Sequence, residues 1–121
     1  MENLSVEQEL KTPKIDFNYT KGDLLIEGIS VPENTIDFYS QFVFWIKEYV
    51  QVPKKTTFNI KLEYFNTSTS VVLLNIIREL KTLGQDLLTI NWYYESEDIE
   101  MKEVGEDYAK MVELHFNFVE I

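Results

Sequence analysis

Apolar and polar positions change period several times along the chain, and each change marks an element. Ile15, Phe17 and Tyr19 alternate with Asp16, Asn18 and Thr20, which predicts a half-buried strand. Lys21-Gly22-Asp23 reads as a turn and Leu24 to Ile29 as a second strand, so the two should pair as an antiparallel hairpin. Val31-Pro32-Glu33-Asn34-Thr35 opens a helix that runs to about Val50 and stops before Pro53. Phe58, Ile60, Leu62 and Tyr64 alternate with Asn59, Lys61 and Glu63, predicting an inner strand over 57–65. Val72, Leu73, Ile76, Ile77, Leu80 and Leu83 then recur at helical spacing, a helix over 69–83 that Gly84 ends. Leu88, Ile90, Trp92 and Tyr94 alternate with Thr89, Asn91 and Tyr93 in a further strand. An acidic turn, Glu95 to Glu100, leads into a third helix with Met101, Val104, Tyr108 and Val112 on its buried side. Gly105 within it costs about 1 kcal/mol relative to Ala. Leu114, Phe116 and Phe118 alternate with His115 and Asn117 in a last edge strand.

Every strand after the hairpin has one polar face, whereas a sheet covered on both sides reads as continuous apolar runs. The expected fold is therefore α/β in two layers, a mixed β-sheet with its helices mainly on one face. Its strand-helix-strand units should be right-handed crossovers between parallel strands. Residues 1–12 carry few apolar positions and Pro13 follows, so they are expected to be a flexible arm ahead of one domain spanning 13–121. The first helix carries two apolar stripes: Ile36, Tyr39, Val43, Ile46 and Val50, and beside it Phe38, Phe42, Trp45 and Tyr49. One stripe suffices to seat a helix on a sheet. The second packs on a neighbouring helix, or Phe38, Trp45 and Tyr49 contribute to an aromatic partner surface near the second helix.

Composition narrows the function. A chain of 121 residues with 45% hydrophobic positions supports a real core and excludes general disorder. There is no cysteine, hence neither disulfide nor thiol chemistry, which is compatible with a cytoplasmic location. The start has no basic, then apolar, leader pattern, and the apolar run Phe42 to Ile46 is too short to span a bilayer. Eleven basic against 21 acidic residues give a net charge of −10, which disfavours nucleic acid and anionic membrane as partners. His115 has no second histidine at a ligating or catalytic spacing. The acidic run from Glu95 to Asp107 lacks calcium-loop spacing and reads as a solvated face. No catalytic residue, metal site or cofactor site is expected.

Chemistry concentrates where the inner strand meets the second helix, at Asn66-Thr67-Ser68-Thr69. Such side chains cap helix starts, and the positive end of a helix also accommodates a phosphate. The hinge can be a cap, a phosphosite or both. Here the residues themselves carry a resemblance. Pro32-Glu33-Asn34, a helix containing Trp45, a strand ending Tyr64-Phe65-Asn66-Thr67-Ser68, a helix and then Trp92-Tyr93-Tyr94 resemble, over about residues 13–119, the SiaC family of regulatory phosphoproteins.

The resemblance implies a fold similar to STAS domains, although the Asp-x-Ser-Gly-like residues usual there are absent. It implies that Thr67, between Asn66 and Ser68, is the phosphorylated hydroxyl. A SiaB-like kinase would add the phosphate and a PP2C-like phosphatase would remove it. The unphosphorylated form would bind and activate a diguanylate cyclase or another effector, in control of biofilm formation through c-di-GMP. On the second helix Val71, Leu74 and Arg78 share a side with Thr67 and, with Asn66 and Ser68, are the expected partner contacts. Two other readings stand beside this one: a STAS-type antagonist acting on a sigma-factor regulator, and a small enzyme using the acidic face with a metal.

Overall fold

The computed structural model describes residues 1–121. Nine elements follow in chain order: β1 (Leu4–Val6), β2 (Lys14–Asn18), β3 (Asp23–Ser30), α1 (Thr35–Tyr49), β4 (Thr56–Phe65), α2 (Thr67–Lys81), β5 (Leu88–Tyr94), α3 (Ile99–Val112) and β6 (Asn117–Glu120). The six strands form one sheet in sequence order. β1, β2 and β3 are antiparallel, and β3 to β6 run parallel, joined by helical crossovers.

Register explains the layering. Phe17, Leu24, Phe58 and Ile90 lie in one cross-strand row, and Ile15, Ile26, Ile60 and Trp92 in the next. All eight are buried in a single core with residues from all three helices. The opposite face stays polar: Asn91 Nδ2 donates to Asn59 Oδ1 at 3.0 Å, and Asn117 Nδ2 to Asn91 Oδ1 at 3.0 Å. Successive right-handed crossovers that advance in one direction place their helices on the same side. The two-layer mixed sheet read from the sequence is the fold.

Three expectations need correction. The first is the flexible arm over residues 1–12. Leu4–Val6 pairs with β2, Asn3 Oδ1 accepts from the Tyr19 backbone N–H at 2.7 Å, and the Val31 N–H donates to Lys11 O at 2.8 Å. A three-residue edge strand offers too short an alternation to read, and β2 supplies its hydrogen bonds. The second is the last strand, which begins at Asn117 rather than Leu114. α3 ends at Glu113 with φ 56°, and Phe116 stacks on Trp92 at 6.1 Å before pairing starts.

The third is the aromatic stripe of α1. Trp45 is only 7% exposed and Tyr49 1%. Trp45 lies 5.2 Å from Phe17 and stacks on Tyr49 at 4.9 Å, and its Nε1 donates to Glu2 O at 2.8 Å. Phe38 is half-buried against Tyr39 and Phe42, in a depression with Glu9, Thr12, Pro32 and Gln41 rather than with α2. The stripe reaches sideways to cover the N-terminal strands, which need a lid of their own. Phe42, Trp45 and Tyr49 are core, so Trp45 and Tyr49 form no partner surface, whereas Phe38 stays half-buried at the core's edge.

Gly105 owes its place to packing rather than to helix tolerance. A Cβ there would stand 2.7 Å from the Trp92 indole, whose Nε1 donates to Met101 O at 3.0 Å. Gly105→Ala gains about 1 kcal/mol of helix propensity but forces α3 off Trp92 at about 1–3 kcal/mol. Urea unfolding should show a net loss; a more stable variant would mean that α3 has room to spare.

Candidate functional site

β4 hands over to α2 at Asn66. Its backbone is extended (φ −86°, ψ 173°), and its Oδ1 accepts from the Thr69 N–H at 2.9 Å and from Ser68 Oγ at 3.1 Å. Asn66 is therefore the cap and Thr67 the first helical residue. Asn66→Ala should cost about 1 kcal/mol in thermal or urea unfolding, and Thr67→Ala a few tenths.

The four hydroxyls after the cap differ sharply, and Ser70 Oγ bonds the Tyr108 hydroxyl. Thr69 is buried, and its Oγ1 meets Ser30 Oγ at 2.9 Å and donates to Ser30 O at 3.2 Å. Ser30 Oγ in turn lies 2.6 Å from Tyr39 OH. Burial pushes the Tyr39 phenol up to about 12, against the opposing pull of its bonds to Ser30 and Thr69, so this network is held neutral. Ser68 Oγ bonds Thr35 Oγ1 at 2.6 Å and ties the start of α2 to that of α1. Thr67 alone is exposed with a hydroxyl that no protein group engages. The first turn of α2 itself carries no acidic residue.

Two surfaces lie along α2, and Thr67 lines the first of them. On one side a groove of about 410 Å³ runs between the end of β4, the start of α2 and α3. Its floor is Phe65, Met101, Val104 and Tyr108, with the Tyr108 hydroxyl bonded to Ser70 Oγ. Glu63, Asp98, Glu100 and Asp107 surround it, and no lysine or arginine lines it. On the other side, α1 and α2 run parallel and leave an apolar depression lined by Ile36, Val43, Phe44, Lys47 and Val72. Ile36 is 77% exposed, Phe44 65% and Val71 56%.

Of the residues expected to contact a partner, Val71 and Arg78 lie on the open side of α2, whereas Leu74 is half-buried against the core. Asn66 and Ser68 are engaged within the protein. Sequence periodicity missed Ile36 and Phe44. Ile36 fits a core stripe, and Phe44 fits none, which was the available signal. It also missed the acidic groove, because Glu63 and Asp98 are 35 positions apart.

The fold and the hinge define a class: an α/β module that presents one free hydroxyl where a parallel strand gives way to a helix. The model of the family described as "SiaC family regulatory phosphoprotein" matches residues 6–121, and the chain belongs to that family. The crystal structure of apo-SiaC from Pseudomonas aeruginosa superposes with a TM-score of 0.87 at 23% identity, covering 99% of this chain and 98% of that one. SiaC in the crystal structure of the diguanylate cyclase SiaD in complex with its activator SiaC, also from Pseudomonas aeruginosa, superposes with a TM-score of 0.91 at 21% identity, covering 98% and 99%. An uncharacterised protein of Pseudomonas aeruginosa strain UCBPP-PA14 is 23% identical over 113 residues, 91% of this chain and 90% of its own. No helix of the chain is long and apolar enough to cross a membrane.

Proposed function

We propose that this regulatory phosphoprotein is a partner switch set by one phosphate on Thr67. A SiaB-like kinase adds the phosphate and a PP2C-like phosphatase removes it. The unmodified form binds and activates a diguanylate cyclase, the role that SiaC has toward SiaD in the related complex. The observation that carries the reading is the free, exposed hydroxyl of Thr67 beside two bonded neighbours.

The docking face for the cyclase is the outer side of α2 with its neighbour α1. Val71, Ile36 and Phe44 supply exposed apolar area, and Arg78 and Lys47 supply charge at the far end. A phosphate adds about −1.5 to −2 charge and three strong acceptors. At the start of α2 it disturbs the fold little. Against a partner it is desolvated without a cation, which costs several kcal/mol, and about 3 kcal/mol weakens a complex roughly a hundredfold.

The test is c-di-GMP synthesis by a diguanylate cyclase from the same cell, with the unmodified or the Thr67-phosphorylated protein added. The unmodified protein should raise the rate and the phosphorylated form should not. Equal rates with both forms, or no stimulation by either, would count against the switch.

A further inference from the structure

We propose that the groove between the start of α2 and α3 docks a segment of the kinase that phosphorylates Thr67, one combining apolar side chains with lysine or arginine. The inference rests on the reading of Thr67 as the phosphorylated hydroxyl. The groove has an apolar floor, from Phe65 through Met101 and Val104 to Tyr108, and a mouth widened by the exposed side chains of Tyr64 and Met111. Around that floor stand Glu63, Asp98, Glu100 and Asp107, with no basic residue among the lining. Floor and rim together match one kind of occupant, an amphipathic cationic stretch of chain.

The chemistry at Thr67 demands the same partner. Thr67 Oγ1 attacks the γ-phosphorus of a nucleoside triphosphate. A new O–P bond forms, the bond from the γ-phosphorus to the β–γ bridging oxygen breaks, and its electron pair leaves with the nucleoside diphosphate. The hydroxyl proton passes to a base on the kinase. Cations must cover the transferring phosphoryl group. The groove beside Thr67 offers carboxylates and no lysine or arginine, so the cations that cover the phosphoryl group come from the kinase. The apolar depression between α1 and α2 lies on the other side of α2. The two surfaces have no lining residue in common.

The full chain is titrated, with amide chemical shifts as the readout, against a synthetic leucine–lysine peptide of about twelve residues and its leucine–glutamate counterpart. The lysine peptide should shift amides of residues 63–70 and 98–111, more tightly at about 50 mM than at about 300 mM salt. The glutamate peptide should leave them in place. The triple variant Glu63→Gln, Glu100→Gln, Asp107→Asn should bind the lysine peptide about tenfold more weakly; Asp98 is kept because it caps α3. Shifts elsewhere, or equal binding of both peptides, would overturn the proposal. Saturating lysine peptide should also slow labelling of Thr67 by an extract of the native cell about fivefold. An unchanged rate would remove the kinase from the groove. An extract that never labels Thr67 would instead sink the phosphoswitch, and the peptide shifts would still report on the groove.

Discussion

Trp45→Ala should remove about 3–5 kcal/mol of stability, a large share of what holds a domain of this size. The indole fills the space between α1 and the N-terminal strands, touching Phe17 and Tyr49 and holding Glu2 by its N–H. Its loss opens a cavity and releases the edge of the sheet together. Urea unfolding with unchanged slope would measure the loss. Effector affinity, measured where the variant is still folded, should stay within about twofold of wild type, because the side chain is out of reach of a partner. A stability loss below about 1 kcal/mol combined with failed effector binding would return the aromatic stripe to the surface and contradict the packing described above.

Thr67→Asp should fold as wild type does and bind the effector about ten- to a hundredfold more weakly. The carboxylate sits at the start of α2, where negative charge is tolerated, yet it places an unpaired anion at the docking face. An aspartate carries less charge than a phosphate, so the effect should fall short of that of the phosphorylated protein. Thr67→Ala should bind as wild type does, since the proposed switch makes the unmodified form the active one and Asn66, not Thr67, caps the helix. Calorimetric titration of both variants against the cyclase, with thermal melts as the folding control, checks all three statements. Equal affinity for wild type and both variants would leave Thr67 an ordinary first-turn residue.

How far the sequence could be read depended on the range of the interactions that decide each feature. The two-layer sheet was legible because alternation along β3, β4 and β5 reports directly on one buried and one polar face. The strand–helix hinge was legible because Asn66 to Thr69 are contiguous. Which of its hydroxyls is free was not, because Ser68 is claimed by Thr35 and Thr69 by Ser30, both more than 30 residues away. α1 misled for a related reason. Its periodicity shows that two stripes are apolar, but only the position of β2 beside β3 reveals that Trp45 and Tyr49 have strands to cover while Ile36 has none. β1 escaped because Leu4 and Val6 carry too little pattern without Phe17 and Ile15 opposite them.

The most direct test of the switch is the intact mass of the protein isolated from its native cell, with the modified residue located by fragmentation. A single phosphate on Thr67, present in part of the population and removed by phosphatase treatment, is the predicted result. Protein that carries no phosphate under any growth condition, or carries it on Ser68 or Thr69 instead, would contradict the account.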